Sequence, residues 1–181
     1  MSSFTFKQTV FTILSLIASI SVSHAESIDL ISKVLDSNSL LEVIAPEKVS
    51  KAIYTPFAVR YIQNGNFSPS CTLINKDNID NKLELISPEN GNSFGNCASP
   101  INKPTTFSIN ENKFAVYFYL IEDPKTIFTK SYQLVKLLTD KFVVCQKDNE
   151  INAYIENHAK KQGVKFSAKT AINKFGCQPH D

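Results

Sequence analysis

Four cysteines are the residues of this chain whose chemistry is most restrictive: Cys71, Cys97, Cys145 and Cys177. Thiolates act as nucleophiles beside a histidine, and sets of thiolates hold zinc. The wide spacing here lacks the Cys-x-x-Cys pattern of zinc ribbons and thioredoxin-like redox sites. An even number of cysteines in an exported chain instead favours two disulfides. Three pairings are possible, and we favour Cys71 with Cys97 and Cys145 with Cys177, because each pair joins neighbouring elements.

The first 25 residues have the organisation of a secretory signal peptide. Lys7 supplies a positive amino-terminal region, and the run from Val10 to Val22 is uncharged and rich in Leu, Ile and Ser. Small residues at Ser23 and Ala25 suit a signal peptidase. We therefore expect Sec-type export to the periplasm or the exterior, with cleavage after Ala25. An uncleaved anchor is the alternative, but the apolar run is shorter than the roughly 20 residues that span a bilayer.

Cleavage would leave residues 26–181, a length that suits one domain with a single core. Loss of Lys7 leaves 18 basic and 17 acidic side chains, and Arg60 is the only arginine. Such a balanced charge implies neither nucleic acid nor an anionic membrane as a partner. We therefore predict a single exported domain that binds no nucleic acid and keeps no stable membrane anchor.

Nucleophilic catalysis would require a histidine close to one of the thiols. Cys97 with His158 is the pair that could form a Cys-His hydrolase, since Cys97 lies in an expected loop and His158 on an expected helix. The alternative interpretation gives Cys97 a disulfide and His158 a packing role beside Ile151 and Tyr154. His180 is the penultimate residue, where chain ends are commonly poorly ordered.

Carboxylates and metal ligands give no stronger catalytic pattern. Glu122 and Asp123 are adjacent, so their side chains diverge on a strand, and Asp123 before a proline is typical of a helix cap. Glu84 alternates with leucines and is expected on a solvated face. The chain has no HExxH or SxxK motif and no Gly-rich phosphate loop. Residues 91–95 match GxSxG, but they lie in an expected loop, without the strand-to-helix turn that this motif requires. We predict no metal site and no cofactor.

The element that the rest must position is the uncharged run Phe114–Ile121. Aromatic and β-branched residues favour a strand, here about 26 Å long at 3.3 Å per residue. Alternation sends Phe114 and Val116 to one face and Ala115 and Tyr117 to the other. Because both faces are apolar, we expect both to be covered, or one to lie under helices and the other under tyrosine rings.

Residue periodicity around this strand predicts one α+β domain. The expected strands are 57–62, 71–74, 82–86, 105–109, 114–121, 142–145 and 164–168, of which the first five form an antiparallel meander. The expected helices are 27–35, 125–139, 149–162 and a short stretch at 168–175, with helical turns at 47–54. Residues 40–44 suit either a strand or a helix. The fold class is thus an antiparallel sheet of about five to seven strands, covered by helices from the C-terminal half, with a short N-terminal helix and two disulfides.

Two asparagine-rich loops carry an aromatic residue near the tip, Phe67 after Asn64-Gly65 and Phe94 after Gly91. Asn-Gly suits a type I′ turn. Exposed aromatics dominate the energetics of many interfaces, so Phe67 and Phe94 are candidate anchors for another protein. The alternative is that both rings fold back onto the sheet edge. We predict a non-catalytic binding protein, such as an inhibitor, an immunity-type neutraliser or an accessory subunit. Other hypotheses are a small hydrolase without a motif and a carrier of an apolar ligand in a cavity beside Tyr117 and Tyr119.

Overall fold

The computed structural model describes residues 26–86, 96–98, 103–122, 125 and 127–179, so the predicted signal peptide lies outside the described residues. The strands are β1 (Ser39–Ile44), β2 (Lys48–Ser50), β3 (Ile53–Tyr54), β4 (Phe57–Ile62), β5 (Ser70–Ile74), β6 (Lys82–Ile86), β7 (Asn96–Cys97), β8 (Thr105–Ile109), β9 (Asn112–Glu122), β10 (Phe128–Leu137) and β11 (Phe142–Val143). The helices are α1 (26–34), α2 (Asp148–Gln162) and α3 (Val164–Phe175). The chain forms two compact units, one ending at Ser37 and one beginning at Asn38.

Within the first unit, α1 confirms the short N-terminal helix that the sequence predicts. Lys33 Nζ lies 2.8 Å from Asp29 Oδ2 one turn earlier, and Ser32 Oγ donates to the Ile28 carbonyl. An exposed ion pair of this spacing adds only about 0.3 to 0.5 kcal/mol to helix stability. The helix ends where Asp36 takes a positive φ of 46°.

The second unit contains two antiparallel sheets and a small β2–β3 hairpin. One sheet has the strand order β1-β4-β5-β6. In the other, which we call the central sheet, β9 pairs with β10 on one side and with β7 and β8 on the other, and β11 continues beyond β10. The antiparallel α+β class is confirmed, and the described part of the chain contains more strands than the five to seven expected.

The two apolar faces of β9 are covered by different layers, as the sequence predicts. Ala115, Tyr117 and Tyr119 lie in a buried cluster with Ala58 of β4 and Leu73 of β5, from the neighbouring sheet. This cluster is the inter-sheet core. The opposite face of β9 packs against the two helices. The resulting order of layers is sheet, central sheet, helices.

The helix-side core, which covers the opposite face, joins β9 to α2 and α3. Phe114 and Val116 pack in one cluster with Ile151 and Ile155 of α2 and Ala171 of α3. Burying an aliphatic side chain of this size contributes about 1.5 to 3 kcal/mol. A helix pair is therefore strongly held on this face of the central sheet.

Two disulfides fasten this arrangement, with the pairing that the sequence predicts. Cys71 of β5 is bonded to Cys97 of β7, which ties the two sheets together. Cys145 is bonded to Cys177, which joins the chain before α2 to the chain after α3. The second bond is supported by a hydrogen bond from Gln146 N to the Gln178 carbonyl at 2.9 Å.

The prediction of a helix over 125–139 is wrong, because β10 occupies this segment. Its apolar residues have helical spacing, but Leu134 packs in the helix-side core and Val135 in the inter-sheet core, as successive residues of a strand covered on both faces do. Ten residue pairs join β10 to β9 without a bulge. Long cross-strand pairing therefore overrides the local helical pattern. The predicted cap at Asp123 lies outside the described residues.

Two further local predictions are wrong. The predicted strand at 164–168 is wrong, because α3 begins at Val164, directly after Gly163 with a φ of 81°. Its buried residues Ala168, Ala171 and Ile172 have helical spacing, and that pattern prevails over the short alternation before it. Residues 47–54 form the β2–β3 hairpin and not helical turns. The ambiguous segment 40–44 belongs to a strand, β1.

Tyr117 places a hydroxyl inside the inter-sheet core. The Tyr117 hydroxyl donates to the Pro56 carbonyl at 3.3 Å, and the side chain is fully buried. Burial raises the pKa of Tyr117 well above its ordinary value, because a phenolate would lack solvation there. Burial also raises the pKa of Tyr119. Both hydroxyls therefore stay protonated in the folded protein at pH values where the unfolded chain ionises.

Removal of either disulfide should destabilise the protein strongly. The bonds close loops with sequence separations of 26 and 32 residues, for which chain entropy gives roughly 3 to 4 kcal/mol each. Paired alanine variants, Cys71 with Cys97 and Cys145 with Cys177, should lower the free energy of unfolding by that amount in guanidinium titrations. Titration of denatured, unreduced wild-type protein should find no free thiol; detection of two thiols would contradict the pairing.

Alkaline pH should destabilise the protein through its buried tyrosines. Because the folded-state pKa is raised, the contribution of the protonated tyrosines to the free energy of unfolding is fully present below the unfolded-state pKa. This contribution declines as the pH rises above that value. The loss should reach about 1.4 kcal/mol per pH unit per tyrosine above about pH 10. Urea unfolding between about pH 9 and about pH 11 measures this slope. The Tyr117→Phe variant should show a shallower decline, and an unchanged slope would contradict the assignment.

Candidate binding surface

The loop between β4 and β5, residues 63–69, carries the most exposed aromatic side chain that the structure describes. The amide of Asn66 donates to the Gln63 carbonyl at 3.0 Å, and Gly65 has a φ of 84°. Among the described residues other than glycine, only Asp36 and Asn110 have positive φ. The predicted type I′ turn is therefore wrong, because it needs positive φ at Asn64 too; a positive φ at Gly65 alone suits a type II turn.

The end of this loop is anchored to the central sheet. The Cys97 amide donates to the Pro69 carbonyl at 2.9 Å, and Cys97 is bonded to Cys71 two residues after that proline. From β4, the Arg60 Nε donates to the Cys97 carbonyl at 2.8 Å. The only arginine of the sequence thus helps to fix β7 to the end of this loop. One disulfide and two hydrogen bonds hold the end of the loop in place.

Phe67 itself makes almost no contact with the rest of the protein. Its side chain is 99% exposed, so the alternative that it folds back onto the sheet edge is wrong. Full burial of a phenylalanine side chain stabilises a protein or a complex by about 1.5 to 3 kcal/mol. The protein does not gain this stabilisation while Phe67 is exposed. The second candidate anchor, Phe94, lies outside the described residues.

A second, partly exposed apolar region lies along the outer half of the β9–β10 hairpin, at the border of the part that the helices cover. Phe118 and Tyr132 are opposite each other in the register, with ring centroids 5.3 Å apart. Phe128, which pairs with Glu122, is 57% exposed. Sequence reasoning missed this region because it predicted a helix there. The alternation of Phe118 and Leu120 on one face of β9 was the available signal.

The candidate Cys-His pair is not assembled. Cys97 is buried in the inter-sheet core and bonded to Cys71. His158 lies on α2, where its ring stacks on Tyr154 at 4.0 Å and its Nδ1 hydrogen-bonds the Tyr154 carbonyl at 2.8 Å. Because α2 covers the opposite face of the central sheet, the two side chains belong to different layers. His158 has the packing role given by the alternative interpretation, and His180 lies outside the described residues.

The acidic candidates are also separated from one another. Glu84 is exposed on β6, as expected, and Glu122 ends β9 in the other sheet. Asp123 lies outside the described residues. No group of three His, Cys, Asp or Glu side chains with a metal-binding arrangement occurs in the described part of the chain.

A depression of about 560 Å³ lies where α2 meets α3, away from the tyrosines considered for an apolar ligand. It opens widely to solvent and is lined by Thr105 of β8 and by Gln162, Phe166 and Lys169 of the helices. Neither Tyr117 nor Tyr119 contributes to it. An open depression with lysines at its edge differs from the enclosed apolar cavities that bury small ligands.

No protein-family model, curated protein or solved structure matches this chain. Among the described residues, no helix has the length and apolar character needed to cross a membrane. The surface features above therefore have to be interpreted from their own geometry.

Replacement of Phe67 should leave stability unchanged. Phe67→Ser removes a side chain with no packing contacts to lose, so the free energy of unfolding should stay within about 0.5 kcal/mol of the wild type. Phe114→Ala, in the helix-side core, should cost about 3 to 5 kcal/mol in the same urea titrations. A loss above about 1 kcal/mol for Phe67→Ser would mean that the ring is packed in solution.

Proposed function

We propose that this chain is an exported, non-catalytic binding protein that acts by contacting another protein. The observation that carries the proposal is the fully exposed ring of Phe67 on an anchored loop. Transfer of an exposed phenylalanine side chain from water into a protein interface is favourable. Aromatic anchors of this kind commonly supply most of the affinity of an interface.

The base of the loop supports this role. The Cys71–Cys97 disulfide and the Arg60 hydrogen bond hold the chain close to Phe67 before any partner arrives. A preorganised anchor loses less conformational entropy on binding than a mobile one, so more of the contact energy becomes affinity. The loop therefore combines an exposed aromatic side chain with a backbone of restricted conformational freedom, and both properties favour binding.

The disulfides support the proposed location. Structural disulfides persist in oxidising compartments, and they are rare in proteins that stay in a reducing cytoplasm. Both bonds of this chain join buried cysteines, apart from the partly exposed Cys177. Together with the signal-like first 25 residues, they favour the periplasm or the exterior. The cysteines are then structural, and no thiol is left for nucleophilic catalysis.

Capture of a partner from native envelope or secreted material tests the proposal. Immobilised wild-type protein should retain one protein in stoichiometric amount, and Phe67→Ser should lower retention at least about tenfold, the effect of losing about 1.4 kcal/mol at a central aromatic anchor. Quantitative mass spectrometry of the retained material measures both effects.

Phe166→Ser is the matched control for this capture. Phe166 is a second exposed phenylalanine, 59% accessible, but it lies on α3 away from the candidate loop. Its replacement should leave retention unchanged. Absence of any stoichiometric partner, or equal loss with both variants, would contradict the proposed role of Phe67.

A further inference from the structure

Among the strands that the structure describes, none pairs with β10 on the side away from β9 over its first half, and we call this side its free edge. In an antiparallel ladder, alternate residues direct their backbone N–H and C=O groups to opposite sides of the strand. The Leu134 amide donates to Asn152 on α2, so Leu134 faces away from β9, and Lys136 pairs with Val143 of β11 on that same side. By this alternation, Tyr132 and Lys130 also direct their backbone groups away from β9.

The inner half of this edge is already occupied. Asn152 accepts from the Leu134 amide at 3.0 Å, and Gln133 Nε2 donates to the Leu134 carbonyl at 3.0 Å. The two amide side chains also hydrogen-bond each other at 3.2 Å. The side-chain amides of Asn152 and Gln133 thus take the place of a neighbouring strand. They satisfy the backbone N–H and C=O groups of Leu134 where α2 covers the edge.

The outer half lacks such cover in the described part of the chain, apart from Tyr132, which packs beside the helix-side core. Within the described residues, no strand pairs with β10 on this side before Lys136. Phe128, Thr129 and Lys130 are exposed, and Tyr132 is half-buried. An exposed strand edge is a template for another strand, and β-strand addition is a recurrent mode of peptide recognition.

Charge along the edge indicates which strand fits. Phe128, Lys130 and Tyr132 share one face, so an added antiparallel strand would place one residue opposite each of them. Two copies of this edge paired about Lys130 would put like charges opposite each other, which is unfavourable. An acidic residue opposite Lys130 and apolar residues opposite Phe128 and Tyr132 are complementary. At the inner end, burial raises the pKa of Glu156 on α2, and burial together with the charge of Glu156 raises the pKa of Tyr132.

We infer that the free edge of β10, from Phe128 to Tyr132, accepts an extended strand of another protein in antiparallel orientation, with an acidic residue opposite Lys130 between two apolar residues. The inference rests on the proposed binding role and specifies its partner. Main-chain hydrogen bonds at Lys130 and Tyr132 supply affinity, and the alternating side chains supply selectivity. Five residues of β10 are available, so the recognised core is of similar length.

A capped peptide with this pattern, acetyl-TVTETVT-amide, tests the inference by amide chemical-shift titration and hydrogen exchange of the whole protein. Binding should shift the amides of Lys130 and Tyr132 and slow their exchange, while the amides of Thr129 and Ser131, already paired with β9, change little. N-methylation of the glutamate and both valines should weaken binding about tenfold by removing N–H donors that face β10. N-methylation of the two inner threonines, whose amides face away, is the matched control.

Charge exchange isolates the contribution of Lys130. A peptide with lysine in place of glutamate should bind wild-type protein about fivefold more weakly, and Lys130→Glu should reverse that preference. Lys130→Pro should abolish peptide binding because proline removes the outward N–H, whereas Lys130→Ser keeps it. Proline is tolerated at an edge position whose N–H points away from the sheet.

The outcomes separate this inference from the proposed function. Failure of the peptide to bind, or equal binding after either pattern of N-methylation, overturns the edge inference. So does retention of the same native partner by the wild type and by a folded Lys130→Pro variant, which leaves the binding role intact. A dimer that light scattering detects and that Lys130→Pro dissociates would identify a second copy as the occupant and overturn the inference. Absence of a native partner for the wild type would instead contradict the proposed function.

Discussion

The burial of both faces of β9 is the constraint on which the rest of the structure depends. A strand with Phe114 and Val116 on one side and Ala115 and Tyr117 on the other cannot leave either side in water. One cover has to be a second sheet and the other a pair of helices, since the chain supplies short alternating segments before β9 and helical segments after β11. The order of elements along the sequence therefore follows the order of layers.

The disulfides add covalent bonds to this layering. Cys71–Cys97 joins the two sheets within the inter-sheet core, where β7 contributes only two residues. Cys145–Cys177 closes the helical layer by joining the chain on both sides of α2 and α3. Each core is therefore held by hydrophobic packing and by a covalent bond. The loop that presents Phe67 ends next to the first of these bonds, which explains how its tip can be exposed while its base is fixed.

The sequence predicted the parts of the fold that are set by local pattern. Alternation identified β4, β6 and β9, helical spacing with a terminal glycine identified α2, and proximity along the chain identified the cysteine pairs. It failed for β10 because residues 125–139 satisfy a helical pattern, and only pairing with β9 makes the strand more stable. Phe67 was recognised as a candidate anchor, but its exposure could not be predicted, since an aromatic near a turn suits both a fold-back contact and a free ring.

The segment that forms β10 fits a helical pattern as well as a strand, and this property is related to the inferred site. A strand whose residues also fit a helix owes its conformation mainly to its pairing with β9, and on the opposite side only its inner half is bonded, to Asn152 and β11, among the described residues. Helix α2 covers that side only as far as Asn152 and Glu156, because Ile151 and Ile155 hold it over the inner half of the central sheet. The hairpin of β9 and β10 extends beyond this cover. Its free edge is thus a consequence of a long central strand beneath a shorter helical layer, and the charge of Lys130 disfavours pairing of two such edges.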